Sequence, residues 1–287
     1  MATVAIVGAG DIGGATAQAL ASCDRAGRVW LVDTAADAAA GKALDLQQAG
    51  AVTGVHPRFD GTDDESRLIG CTVCVIADRF GARAGEWRSG EWQGDEGLSM
   101  LNRIAPSLGD APIVFAGALQ VELLSRAAEE TRIRRERLIG SSPEALASAI
   151  TAIVAMEAGC SPHEVMLTVL GTPPTGFVVP WSEASIGGYA LQRVLSQVQL
   201  VRIETRAARL WPPGPYALGA AAAQVTDAIL SNSRRSLSVL TQLEGEFGVR
   251  HRAGALPARL AAHGIAQMRV PELCTREHVQ LQTALGG

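Results

Sequence analysis

The sequence predicts an α/β protein, a doubly wound parallel sheet of the Rossmann type followed by an α+β domain. Three observations carry the prediction. A short apolar run leads straight into Gly8-Ala9-Gly10-Asp11-Ile12-Gly13, short apolar runs then alternate with helical segments to about residue 140, and beyond Ser141-Ser142-Pro143 longer helices and paired strands replace the alternation. The 287 residues, 47% of them hydrophobic, exceed the usual extent of one core, so a first domain over 1–142 and a second over 143–287 are expected.

Residues 2–7 form a continuous apolar run ended by glycine, as a buried parallel strand does. An alanine-rich helix follows over Ala15–Ala21, then a strand over Arg28–Val32 closed by Asp33, which completes a βαβ unit. Further strands are expected at Thr72–Ala77, Ile113–Ala116 and Leu138–Ile139, with helices at Leu98–Leu108 and Val121–Thr131 between them. The second half reads as a long helix at Glu144–Ala158, strands at Val165–Leu170 and Phe177–Val179, and helices at Leu191–Leu210 and Ala217–Ser231. Short hairpin-like strands between Ser236 and Ala266 and a terminal helix at Thr275–Leu285 complete it.

Composition removes several function classes. The net charge is −4 with acids and arginines intermixed and no basic run, which argues against a nucleic-acid surface. The first apolar run is broken at Gly8 and Gly10, too early for a secretion signal or membrane span, so a cytoplasmic protein is expected. Cys71 and Cys74 lie in a β-branched run after Gly70 and read as buried strand; without a second pair or a neighbouring histidine they complete no metal or redox site. Lys42 is the sole lysine, and the excess of arginine and alanine reads as compositional bias.

Gly8, Gly10 and Gly13 follow a strand and open a helix. That context gives the tight turn, the close backbone approach and the helix–sheet packing that a pyrophosphate site requires, with the amides of Asp11, Ile12 and Gly13 at the helix N-terminus. Asp33 stands where a carboxylate accepts the diol of an adenosine ribose and repels a 2′-phosphate, so the expected cofactor is NAD.

Several separate segments resemble the lactate/malate dehydrogenase family. Gly41-Lys42-Ala43-Leu44-Asp45-Leu46-Gln47-Gln48-Ala49 is similar to its G-K-A-L-D-L-x-x-A helix, in which Ala43, Leu44 and Leu46 are available for burial. Ala155-Met156-Glu157-Ala158-Gly159 is similar to A-M-E-L-G, Leu243-Glu244-Gly245-Glu246-Phe247-Gly248 to Y-L-E-G-E-Y-G, and Gly254-Ala255-Leu256-Pro257 to a C-terminal G-V-P turn. The resemblance covers essentially the whole chain and implies that family's fold, its NAD cofactor, and a homodimer or homotetramer with the Gly41–Ala49 helix at a subunit interface.

The chemical positions depart from the family. Where it writes VLGGHGDxMVP, this chain writes Val169 through Pro180, with Pro173 or Pro174 in place of the proton-exchanging histidine. The acid that orients that histidine and the arginine that grips the substrate carboxylate fall on Leu146 and Ala149. The A-N-P-V-D segment reads Ala116-Gly117-Ala118-Leu119-Gln120, without its asparagine, and T-A-G reads Ala77-Asp78-Arg79, new charge and bulk beside the cofactor groove. Asn102 is a retained cofactor-contact candidate. The substrate loop, lengthened over Gly81–Leu98, offers Arg83 and Arg88 as substrate-binding candidates and Glu86 and Asp95 as acids near the cleft. His163 should sit at a surface turn behind a Ser161-Pro162 helix start, and His56, His251, His263 and His278 read as surface residues.

The resulting expectation is an NAD-binding protein without hydroxy-acid turnover that serves as a binding or regulatory module. The alternatives are a divergent NAD-dependent oxidoreductase for another alcohol or carbonyl, its new groups drawn from Glu86–Gly94, and a structural protein whose groove Asp78 and Arg79 block.

Overall fold

A computed structural model describes residues 2–55, 57–81, 87–173, 176–233 and 235–286. The first half runs β1 (Ala2–Val7), α1 (Asp11–Cys23), β2 (Ala26–Val32), α2 (Ala36–Thr53), β3 (Arg58–Thr62), β4 (Val73–Ile76), α3 (Gly94–Leu108), β5 (Ile113–Phe115), α4 (Val121–Glu130) and β6 (Leu138–Gly140). It continues with α5 (Ser142–Ala158), β7 (Val165–Met166), β8 (Leu170–Thr172), β9 (Gly176–Val178), β10 (Ser185–Ile186), β11 (Tyr189–Ala190), α6 (Leu191–Val194), α7 (Gln197–Ala207) and α8 (Pro215–Leu230). Strands β12 (Ser236–Glu244), β13 (Arg250–Ala261) and β14 (Gly264–Met268) and helix α9 (Thr275–Ala284) complete the chain.

The strand order β3-β2-β1-β4-β5-β6 is that of a doubly wound sheet, and its neighbours pair in parallel. Strands β1 and β4 are buried on both faces, which explains their unbroken apolar runs. Edge strand β3, Arg-Phe-Asp-Gly-Thr, carries no such run; only Phe59 is buried, and the sequence reading has no strand there.

Beyond β6 the sheet continues without a gap. Leu240 of β12 pairs antiparallel with Gly140, β13 pairs with β12, and β8, β9 and β14 follow, for eleven strands in all. The short hairpin-like strands expected between Ser236 and Ala266 are therefore long ones, β12 of 9 residues and β13 of 12. Gly245 at φ 134° and Phe247 at φ 53° turn the chain between them.

Two further expectations are corrected. Val165–Leu170 is not one strand: β7 joins a small sheet with β10 and β11, while Leu170 begins β8 in the main sheet. Leu191–Leu210 is not one helix either, because Ser196 and Gln199 form a capping box that starts α7 afresh.

The core is layered. Helices α1 and α8 pack together on one face of the sheet with Ile12, Leu20, Leu218, Val225 and Ile229 fully or almost fully buried. Helices α3 and α4 cover the other face with Leu101, Ile104, Leu123 and Leu124. Cys71 and Cys74 lie buried with them, Cys74 in β4 as expected and Cys71 in the segment that precedes it, outside the strand. In α2 Ala43 is buried as expected, Leu46 is half-buried, and Leu44 is exposed to 59%. Among the described residues no helix is long and apolar enough to cross a membrane.

Candidate functional site

The glycine turn is built as the sequence predicts. Gly8 has φ 110°, which a side chain would strain, and a Cβ on Gly13 would collide with the Gly8 carbonyl, so α1 can start this close to β1 only with glycine at both places. At Gly10 the outcome differs from the expectation. The space a Cβ would fill there is taken by the carboxyl group of Asp78, from the segment after β4.

Asp78 is 1% exposed. Its Oδ2 accepts from the Asp11 amide at 2.9 Å, its Oδ1 from the Gly13 amide at 2.9 Å, and its own carbonyl accepts from the Gly10 amide at 2.9 Å. The carboxylate thus sits on the amides of the α1 N-terminus, where the positive end of the helix dipole favours an anion. Burial pushes its pKa up, and the amides of Gly13, Ile12 and Asp11 oppose that rise. Lys42 reaches across Gly14 from α2 and donates to the Gly10 carbonyl at 2.6 Å. Ile12 is buried under the turn.

Asp33 is also committed to the protein. Its Oδ2 accepts from the Ala9 and Phe80 amides, both at 2.8 Å, and its Oδ1 from the Ala35 amide at 3.0 Å. The Phe80 bond comes from the same segment as Asp78.

The third part of the arrangement is Glu91, which sequence reasoning missed. It is 2% exposed, and residues 78 and 91 form an antiparallel bridge, reinforced by the Arg79 amide donating to the Gly90 carbonyl at 2.8 Å. Glu91 Oε2 accepts from the Leu119 amide at 2.8 Å, and its carboxyl group fills the volume a side chain on Gly117 would need. Gln120 completes the cluster, accepting from the Gly117 amide and donating to the Ala77 carbonyl. Glu91 Oε1 has no hydrogen-bond partner among the described residues. Burial pushes the carboxyl up to about 7; the amides of Leu119 and Ala118 and the Arg88 charge pull it down, and the Asp78 charge pushes it further up. No sequence pattern marks Glu91, because what buries it comes from the turns after β4 and β5. Arg79 lies over the Trp92 ring, 4.6 Å from its centroid, and pairs with Glu96.

The substrate side combines an apolar cluster with a cavity of mixed lining, Glu122, Ser125, Thr172 and Arg252 among its polar walls. Leu146 is wholly buried among Ile150, Val154, Val169 and Val179, and Ala149 is half-buried on the same helix. Buried Pro173 borders a cavity of about 550 Å³ whose walls include Ala118, Leu119, Val121, Ala253 and Leu285. Arg252 stands at that cavity and donates to the carbonyls of Leu285 and Gly286 at 2.8 and 3.3 Å. Thr172 donates to the Ala253 carbonyl and Ser125 to Gln242.

The other described candidates are exposed, Arg88 close enough for its charge to reach Glu91. Asn102 is on the exposed face of α3, Arg88 is exposed on a short turn of helix at Trp87–Gly90, and Asp95 is almost fully exposed and paired with Arg126 at 2.9 Å. Arg83, Glu86, Pro174 and His56 lie outside the described residues. His163 is exposed behind the Ser161 cap as expected, His263 and His278 are exposed, and His251, also exposed, lies 3.8 Å from Glu129.

Residues 2–90 match the profile of the lactate/malate dehydrogenase NAD binding domain. Over the whole length, the chain is 28% identical to a malate dehydrogenase of Thioalkalivibrio sulfidiphilus, the match covering 100% of this chain and 97% of that one. It is also 28% identical to a malate dehydrogenase of Thermomicrobium roseum, covering 97% and 93%. Among solved structures it superposes on the malate dehydrogenase of Salinibacter ruber with TM-score 0.87 at 24% identity, covering 99% of this chain and 94% of that one. A lactate dehydrogenase from a Medee basin deep-sea metagenome library gives TM-score 0.87 at 20% identity, covering 99% and 95%.

Proposed function

We propose that the chain belongs to the lactate/malate dehydrogenase family, that it keeps the family's NAD-binding scaffold while having lost hydroxy-acid dehydrogenation, and that it serves as a binding or regulatory module. The observation that supports this reading best is that Leu146, Ala149 and Pro173 stand at the positions of the family's acid, arginine and histidine, with Leu146 wholly buried in an apolar cluster. Reducing a 2-keto acid requires a proton donor to the carbonyl, an acid to orient that donor and a guanidinium to hold the substrate carboxylate. Leu146, Ala149 and Pro173 supply none of these, and Arg252, the guanidinium at the cavity, is bound to main-chain carbonyls.

Losing acid/base catalysis costs on the order of 10²- to 10⁴-fold in rate, and an unmade charge-assisted hydrogen bond to the substrate costs about 1.5 to 3 kcal/mol more. Replacing the polar set as a group also leaves no unpaired charge in the Leu146 cluster. The test is NADH oxidation with oxaloacetate or pyruvate, followed by absorbance. The rate stays at background for both; turnover well above background with either overturns the reading. The account further holds a homodimer or homotetramer, a cytoplasmic location and a division of the chain near residue 142 as parts of the same proposal.

A second reading, an oxidoreductase for another alcohol or carbonyl, is favoured by Glu91 alone, a buried carboxyl raised to about 7 in the groove with one oxygen unbonded. A group with that pKa suits acid/base work near neutrality. An alcohol or carbonyl whose NAD-linked turnover is abolished by Glu91→Gln would establish it; silence across a broad panel would dismiss it.

A further inference from the structure

A dinucleotide seated on the glycine turn in the manner its backbone provides would place its pyrophosphate on the amides of Asp11 and Gly13, close to Gly10. In this chain those amides already hold the Asp78 carboxylate at 2.9 Å, and the room that glycine leaves at position 10 is filled by the same group. The site as it stands does not fit the pyrophosphate.

We propose that Asp78 is an internal anion that competes with NAD for its pyrophosphate seat, so that the cofactor groove of this chain is held closed by the protein itself. The proposal rests on the reading of residues 2–90 as an NAD-binding scaffold. Two neighbouring contacts support it independently. Phe80, two residues along, donates its amide to Asp33, the carboxylate that would face the adenosine ribose. Glu91, bridged to residue 78, places its carboxyl against Gly117 and on the Leu119 amide. One short stretch of chain thus engages both the phosphate end and the ribose end of the groove, and its bridged partner engages a third wall.

Size and charge make the competition unavoidable. Asp78 and a phosphate oxygen seek the same two amide protons, and a carboxylate kept beside a pyrophosphate adds like-charge repulsion in a buried place. NAD entry therefore requires the Asp78 side chain to leave its 1%-exposed position, break two charge-assisted hydrogen bonds and be rehydrated elsewhere. The family's alanine at this position makes no such demand. The result is a groove whose backbone is ready for a dinucleotide and whose affinity is set by how firmly Asp78 is held.

The experiment compares NADH and adenosine binding, by fluorescence and calorimetry, to the wild type and to Asp78→Ala. NADH binds the variant on the order of 100-fold more tightly than the wild type, the scale of two charge-assisted hydrogen bonds that no longer have to be broken. Adenosine, which has no phosphate, binds both alike. Asp78→Ser, whose hydroxyl can still accept one amide proton while withdrawing the carboxylate, gives the same direction if the alanine variant does not fold. Equal NADH affinity in the wild type and either folded variant overturns the proposal, and so does a folded variant that binds no NADH. Neither result bears on turnover, so the loss of hydroxy-acid chemistry stands or falls separately.

Discussion

Replacing Glu91 by glutamine should remove its share of a pH dependence of stability that the wild type carries, the other share coming from Glu144, a second carboxyl that burial raises to about 7. The glutamate is 2% exposed, lies against Gly117 with Asp78 and Arg88 as its charged neighbours, and has its pKa raised by burial from the usual 4.5 to about 7. Below pH 4.5 the carboxyl is protonated whether the chain is folded or not, and its contribution is fully present. Between 4.5 and 7 the unfolded chain releases the proton while the folded chain holds it, so stability falls as pH rises; above 7 both forms are ionised and the loss is complete. Each pH unit in that window is worth about 1.4 kcal/mol, which gives a total near the folded value of roughly 3 kcal/mol.

Glutamine keeps the shape and can leave Oε1 accepting from the Leu119 amide, without the titration. Urea unfolding of both proteins between about pH 5 and pH 8 reads the difference directly. The wild type loses stability relative to Glu91→Gln by about 2 to 3 kcal/mol across that range, since part of the window lies below it. A gap between the two proteins that stays constant with pH refutes the placement of Glu91 as a buried, neutral acid.

Two further predictions concern packing. Gly10→Ala places a methyl on the Asp78 carboxyl, so it destabilises the wild type while Asp78→Ala relieves it, and a double-mutant cycle by chemical denaturation should give a coupling of about 1 to 3 kcal/mol; additive effects contradict the contact. Leu146→Asp, which restores the family's acid in isolation, sets an unpaired carboxylate in a wholly apolar cluster and should cost about 4 kcal/mol or more of unfolding free energy with no gain in oxaloacetate reduction. A stability change under about 1 kcal/mol would show that the Leu146 site admits water or a partner.

The first half of the fold was legible because its signals are local. A buried parallel strand is a continuous apolar run, a glycine turn must be glycine, and Asp33 directly follows the second apolar run. The second half hid more. The break between α6 and α7 was written in Ser196-x-x-Gln199, a capping signal inside an otherwise helical pattern. The length of β12 and β13 follows from their joining one sheet with β6 and β8, which short-range patterning does not express, and in the first half strand β3 was hidden because, as an edge, it carries no apolar run.

The site divides the same way. Aligning motifs put Leu146, Ala149 and Pro173 at chemical positions and flagged Asp78 as charge beside the groove. That Asp78 would turn its carboxylate onto the helix amides, and that Glu91 would be buried opposite Gly117, depends on the bridge between residues 78 and 91 and on the main chain after β5. Those contacts join residues 13 to 67 positions apart and leave no local trace. Asp33 shows the limit from the other side: its residue type marks a ribose site, yet three backbone amides already claim its oxygens.

The central claim is that this chain retains the family's dinucleotide turn and fills it with its own carboxylate. Crystals of the wild type and of Asp78→Ala grown with the same NAD concentration, one that saturates the variant, test it most directly. The account predicts pyrophosphate density on the Asp11 and Gly13 amides of the variant and the Asp78 carboxylate on those amides in the wild type. Wild-type crystals with Asp78 swung away and pyrophosphate seated in its place, at the same occupancy as in the variant, would contradict it.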